Sequence, residues 1–203
     1  IVEGLVQEGA NVIIGDVIVD AVQDWVKKLG GGTRVLAVKT DVTKKTDVDN
    51  LASVAMSKYG KIDILVNNAG VVRNIMFWDI EEEEWDRVNE VNTKGTYLVT
   101  RAIIPFMIKV KQGRIVNISS VAGKEGFEGH SHYCASKFAV VGLTQALAKE
   151  LAEYNITVNT VCPGILRTQM WEGMLNTLTE REGRPKDEIF NDWVERLIPL
   201  KKP

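Results

Sequence analysis

Five short apolar segments, each followed or preceded by a longer stretch of helical period, set the strongest constraint on how this chain folds. NVIIG (11–15), RVLAVKTDV (34–42), DILVNNAG (63–70), GRIVNISS (113–120) and ITVNTVCPG (156–164) have strand length and are rich in Val and Ile. Helical patterns occupy residues 1–9, 18–29, 46–59, 82–109 and 133–153. Strands that are mostly apolar on both faces and alternate with helices predict a parallel sheet, doubly wound, with helices covering both of its faces. At 203 residues the chain fits one domain spanning 1–203. Residue 1 falls inside a helical pattern, and the tail RLIPLKKP stops where another element is expected. A first and a last strand are therefore expected to be missing from a domain that is partial at both ends.

The bulk charge excludes several functions. With 25 basic against 27 acidic residues and no basic run, there is no footprint for nucleic acid. No apolar run approaches the roughly 18 residues that span a bilayer, and the N-terminus has no signal-peptide layout. Cys134 and Cys162 lie far apart without metal-ligand spacing, so free thiols, no metal and a cytoplasmic location are expected. His130 and His132, flanking Ser131, lack a third ligand and read as pocket wall or solvent-facing residues. Glu81 to Glu84 read as the acidic first turn of the next helix.

In a doubly wound sheet ligands bind at the carboxyl ends of the strands. Asp16 ends the first strand, where its carboxylate can hold both ribose hydroxyls of an adenosine and repel a 2′-phosphate, favouring NAD(H) over NADP(H); capping of the next helix is the alternative. Asp41-Val42 follows the second strand and Asn67-Asn68-Ala69-Gly70 the third, where small residues allow close approach of a flat ligand. Ser119-Ser120 closes the fourth strand. Tyr133 and Lys137, at i and i+4, share one helix face, where an ammonium is expected to lower the phenol's pKa from about 10 towards the range useful for acid–base chemistry.

Together the strings NNAG (67–70), VNTKG (91–95), IVNISS (115–120), YCASK (133–137) and VNTVCPG (158–164) make the chain resemble the short-chain dehydrogenase/reductase family over essentially its whole length. The resemblance implies a Rossmann-type fold and reversible hydride transfer between an alcohol and a ketone. It assigns Tyr133 as proton donor or base, Lys137 as holder of the nicotinamide ribose, Ser120 as the hydrogen-bonding partner of the substrate oxygen, and Asn92 as anchor of a water relaying protons to Lys137. It gives Asp16 the adenosine ribose and Asp41, with Val42 beside it, the adenine edge. Asn68, Ala69 and Gly70 would line the cofactor, and Pro163, Gly164 and Ile165 would bracket the nicotinamide amide with Thr168 nearby. The family's glycine-rich pyrophosphate turn would precede Ile1 and is absent from the chain.

Residues 169–200 read as a helical substrate lid, broken at Gly183-Arg184-Pro185, with Trp171, Met174 and Leu178 facing inward. The stretch PGILRTQMW with this long lid is similar to acetoin/butanediol and polyol dehydrogenases, implying a small secondary alcohol, diol or sugar alcohol as substrate. The alternatives are an NADPH-dependent 3-oxoacyl thioester reductase and a non-catalytic cofactor-binding relative. The nearly all-round apolar helix 138–151 (Phe138, Val140, Val141, Leu143, Ala146, Leu147, Leu151) predicts a homotetramer or homodimer.

Overall fold

The computed structural model describes residues 1–29 and 33–202, so Pro203 of the tail lies outside the described residues. Strands β1 (Val12–Asp16), β2 (Val35–Lys39), β3 (Ile64–Asn67), β4 (Gly113–Ile118) and β5 (Ile156–Val161) fall where the apolar segments place them. Every ladder is parallel, and each crossover carries a helix, as parallel pairing requires. The ladders form two pieces, β1–β2 and β3–β4–β5, and none joins β1 to β3 among the described residues.

The helices are α1 (Val2–Gln7), α2 (Val19–Lys28), α3 (Lys45–Tyr59), α4 (Glu82–Asn89), α5 (Thr96–Val110) and α6 (Ser131–Glu150), followed by the hairpin α7 (Gln169–Glu182) and α8 (Lys186–Leu197). The expected single helix over 82–109 is interrupted by a π-helical turn, Glu90–Gly95, between α4 and α5. The break in the hairpin falls as expected: Gly183, at φ 67°, ends α7 in the left-handed region that glycine tolerates without a Cβ clash.

The main core lies on one face of β3–β4–β5. Ile115, Ile156 and Val158 pack there against Val48 and Ala52 of α3 and Val99, Ile103 and Met107 of α5. Gly113 lets α5 approach β4, since a Cβ there would stand 2.5 Å from Met107 Sδ. The strands alternate more than the expected two-faced apolar pattern, because Arg114, Thr157 and Asn159 between the core positions are exposed. A second, smaller core holds the hairpin together through Leu175, Leu178, Ile189, Phe190 and Val194.

Within the main body a buried polar chain crosses the strands. Asn67 Nδ2 donates to Asn117 Oδ1 and Thr100 Oγ1, both at 2.8 Å; Asn117 Nδ2 donates to Thr144 Oγ1 at 2.9 Å. Thr160 Oγ1 donates to the Asn117 carbonyl at 3.0 Å. These bonds tie β3, β4, β5, α5 and α6 together in a region with little water to substitute for a lost partner. Asn117→Ala should therefore cost about 3 kcal/mol of unfolding free energy in urea titrations, because Asn67 and Thr144 would lose buried partners. A loss under about 0.5 kcal/mol would show that the chain of bonds contributes little to stability.

Candidate active site

Within each piece the strands run parallel, so the carboxyl ends of β1 and β2, with Asp16 and Asp41, share one edge, and those of β3, β4 and β5, with Asn68, Ser120 and Pro163, share another. The fourth strand and α6 bring the two chemical groups of most interest together. Ser119 Oγ donates to the Lys137 carbonyl at 2.9 Å, and Lys137 Nζ donates to the Ile118 carbonyl at 2.9 Å. These bonds hold the first turns of α6 against the end of β4, which brings the Ser120 hydroxyl near enough to Tyr133 to favour its ionised form. Ser120 Oγ accepts from Ala122 N at 3.1 Å, which directs its own O–H away from the following turn.

The electrostatics correct one expectation. Tyr133's pKa is raised above 10, not lowered, because burial destabilises the phenolate more than the Ser120 hydrogen bond stabilises it. Lys137 is 4 % exposed, and burial lowers its pKa from 10.5 to about 8, against a smaller upward influence from Cys162. An ammonium that is itself desolvated, 5.6 Å from the phenol ring centroid, does not outweigh the burial of the phenol. At neutral pH the pair is a neutral phenol beside a predominantly charged amine.

Asn92 lies in the π-helical turn, 1 % exposed. Its Oδ1 accepts from Val71 N at 2.8 Å, and its Nδ2 donates to the Val71 carbonyl and to Ser136 Oγ, both at 2.9 Å. Both amide hydrogens are thus used in clamping the segment after β3 onto α6. Gly70 sits where these groups converge: a Cβ there would lie 3.4 Å from both Asn92 Oδ1 and Lys137 Nζ. The π-helical turn, a feature often associated with functional sites, gives Asn92 this orientation and has no plain signal in the sequence.

The remaining strand-end candidates are less tightly gathered. Asp16 is half-buried, with Oδ1 accepting from Ile18 N at 2.9 Å. Asp41 accepts from Thr43 Oγ1 at 2.7 Å and Thr43 N at 3.0 Å, and these bonds lower its pKa. Val42 packs on the main core and closes over Gly95, where a Cβ would lie 2.6 Å from Val42 Cγ2. Asn68 and Ala69 are exposed beside Gly70. Pro163 accepts from Val121 N at 2.9 Å, Gly164 is exposed, and Thr168 caps α7. Ile165 is 6 % exposed inside the hairpin core, so its side chain is engaged there.

Of the two readings for the histidines, pocket wall or solvent-facing, burial excludes the solvent-facing one for both. His130 is 6 % exposed and His132 fully buried, and burial lowers the pKa of both. No group of His, Cys, Asp and Glu suited to a metal ion occurs among the described residues. Sequence reasoning missed Asn74, whose Oδ1 accepts from Arg181 of α7 at 2.7 Å and whose Nδ2 lies 3.3 Å from His130 Nδ1. Its only sequence signal is Gly129, at φ 70°, where a Cβ would stand 2.6 Å from Asn74 Nδ2. Burial pushes the Cys134 thiol up as well, consistent with a packing role.

These residues fit a nicotinamide dinucleotide in one testable respect. Lys137 donates to a single carbonyl while buried, leaving donors for a hydroxylated ligand in the space that Gly70 keeps open. A buried lysine with a depressed pKa destabilises the folded, ligand-free protein at pH 7, and the cost disappears as pH rises from about 8 towards 10.5, where the unfolded chain also loses its proton. Lys137→Met should consequently gain on the order of 3 kcal/mol relative to wild type at pH 7 and much less at pH 10, compared by denaturant titration. An advantage that is the same at both pH values would overturn the assignment of this strain to the ammonium.

Residues 1–178 match the family model for short chain dehydrogenases. The chain is 44 % identical over 167 residues to the 3-oxoacyl-[acyl-carrier-protein] reductase FabG of Thermotoga maritima, covering 82 % of this chain and 68 % of that protein. It is 43 % identical over 199 residues to the oxidoreductase UcpA of Salmonella typhimurium, covering 97 % of this chain and 73 % of that one. Among solved structures, sorbitol-6-phosphate 2-dehydrogenase SrlD of Erwinia amylovora superposes with a TM-score of 0.90 at 33 % identity, covering 98 % of this chain and 80 % of that one. A short-chain dehydrogenase from Streptomyces avermitilis superposes with a TM-score of 0.78 at 36 % identity, and the chain covers 83 % of itself and 61 % of that protein. With its parallel Rossmann-like architecture and this extent of likeness, the chain belongs to the short-chain dehydrogenase family of oxidoreductases.

Proposed function

We propose that this chain interconverts a small secondary alcohol, diol or polyol and its ketone by NAD(H)-dependent hydride transfer, with Tyr133 as the acid–base group. The observation that carries the reading is the junction of Ser120, Tyr133 and Lys137, in which a neutral phenol is paired with a serine donor and a buried amine. The chemistry that a nicotinamide held by these residues would supply is hydride donation to, or acceptance from, the substrate carbon. The chain's own residues handle the oxygen. Ser120 donates a hydrogen bond to it, and Tyr133, protonated at neutral pH, delivers its proton as negative charge develops there. Lys137 stabilises the resulting phenolate and offers its remaining donors to the cofactor ribose. Asn92 holds Val71 and Ser136 in place beside Lys137, and its surroundings would carry the water relay that reprotonates the site.

Asp16 supports NAD(H). Its carboxylate ends β1, and no cation follows it in Asp16-Val17-Ile18-Val19-Asp20, so a 2′-phosphate would meet negative charge without compensation. Asp41 and Val42 would border the adenine, Asn68, Ala69 and Gly70 the cofactor's length, and Pro163, Gly164, Ile165 and Thr168 the nicotinamide end. The α7–α8 hairpin would form the substrate lid. The competing reading, NADPH-dependent reduction of a 3-oxoacyl thioester, draws support from the likeness to the Thermotoga reductase.

Following nicotinamide absorbance with NADH and NADPH against diacetyl, acetoin, fructose, sorbose and an acetoacetyl thioester separates the two. NADH consumption with a diketone or ketose is expected, and activity confined to NADPH and the thioester would replace this reading with acyl reduction. Tyr133→Phe should lower turnover by about 10²–10⁴-fold while leaving cofactor binding unchanged; undiminished turnover would remove the proposed chemistry. Asp16→Ser should erode the preference for NADH over NADPH by at least about tenfold, equivalent to about 1.4 kcal/mol.

The subunit arrangement we infer is a homotetramer or homodimer built on α5 and α6. Tyr97 and Phe138 are 46 % and 47 % exposed, and Tyr97 and Leu143 line one open surface cavity, leaving apolar area for a second copy. Light scattering during size-exclusion chromatography should give a multiple of the monomer mass, and monomer alone at micromolar concentration would refute the assignment.

A further inference from the structure

One imidazole links the α7–α8 hairpin to the Tyr133 neighbourhood. His130 stands at the N-terminus of α6, one turn before Tyr133, and its main-chain carbonyl accepts from Cys134 N at 2.7 Å. Its ring meets the Tyr133 ring edge-on at 6.4 Å between centroids and that of Trp193, from α8, at 5.8 Å. Nδ1 lies 2.8 Å from the Glu128 carbonyl, and Nε2 lies 3.2 Å from Met174 Sδ on α7.

These contacts set the tautomer. A carbonyl oxygen can only accept, so Nδ1 carries a proton. The same nitrogen cannot also accept from Asn74 Nδ2 at 3.3 Å; that amide is oriented by Arg181, and the shorter contact to the carbonyl prevails. Burial lowers the ring's pKa and keeps it neutral, which leaves Nε2 without a proton. Nε2 is therefore a buried lone pair turned towards a thioether that has no proton to donate. A buried acceptor without a donor is costly, and one that borders the site of proton transfer favours a ligand bringing a hydroxyl.

We propose that His130 is a substrate-binding residue of the Tyr133 site, its Nε2 accepting a hydrogen bond from a hydroxyl on the carbon next to the reacting carbonyl. This rests on the reading of Tyr133 as the group that serves that carbonyl. Met174, an unbranched and adaptable side chain, yields its place at Nε2 to the hydroxyl. The 2-hydroxyketone or vicinal diol is thereby distinguished from a plain ketone, for which Nε2 stays unpaired.

Acetoin and butan-2-one differ by that one hydroxyl. With the full chain and its preferred reduced cofactor, kcat/KM should favour acetoin by at least about tenfold. His130→Leu should lower kcat/KM for acetoin by about tenfold and leave butan-2-one within about twofold, while His130→Gln, which retains an acceptor, should restore most of the difference. Equal losses on both ketones, or no loss, would overturn the proposal.

A second measurement does not depend on turnover. The chain has 2 histidines, so their imidazole ¹⁵N resonances can be told apart with one variant. With oxidised cofactor bound, His130 should show a protonated Nδ1 and a bare Nε2. Acetoin should move the Nε2 resonance in the direction of hydrogen-bond acceptance, and butan-2-one should not. A protonated Nε2, or one that acetoin leaves unmoved, overturns the proposal. If Nε2 responds to acetoin but neither ketone is reduced, the binding role stands and the assigned reaction fails.

Discussion

The seam between β4 and α6 is the arrangement on which the candidate site depends. Moving along β4 towards its carboxyl end, Asn117 meets Thr144, Ser119 meets Lys137, and Ser120 meets Tyr133. The strand advances in one direction while α6 is read backwards, so the two elements run antiparallel and converge on the phenol. The first two steps are buried hydrogen bonds, and Lys137 Nζ adds another to Ile118. A sliding of α6 against β4 would break all of them together. Side-chain bonds made for packing in the interior therefore also set the chemical geometry at the strand end.

Burial acts in opposite directions on the two ionisable members of this site. It raises the phenol and lowers the amine, since in each case the charged form is the one that loses water. The result is a proton donor held neutral beside an amine whose charge is only moderately favoured. That state suits delivery of a proton to a carbonyl oxygen. The nearby Ser120 hydroxyl opposes the rise at Tyr133, so the serine acts on the phenol already in the ligand-free site.

The α7–α8 hairpin has its own apolar core, and its ties to the body pass through few side chains: Arg181 to Asn74, and Met174 and Trp193 to His130. His130 links it to the first turn of α6, where Tyr133 resides. The strain-free fit of this junction relies on Gly129, since any Cβ at that position would collide with Asn74.

Strand and helix placement was legible in the sequence because it follows from local apolar period, and so was the pairing of Tyr133 with Lys137, one helical turn apart. The family motifs also carried Ser120, Asn92 and Gly70 to positions that the fold brings together or near one another. Three features were not legible. The direction of Tyr133's pKa depends on how much water the folded chain removes, which neighbouring residues in sequence do not determine. The π-helical turn at Asn92 arises from a change of hydrogen-bond register inside an otherwise continuous helical pattern. The contacts of His130 with Met174 and Trp193, and the link from Asn74 to Arg181 across distant parts of the chain, required the hairpin to be folded against α6, and the approach of His132 to Glu84 required α4 to pack there. The sequence by itself determined which groups stand at strand ends and helix faces, because periodicity is a local property. Tertiary structure alone decided their protonation and partners, because desolvation and long-range hydrogen bonds exist only once the chain has packed.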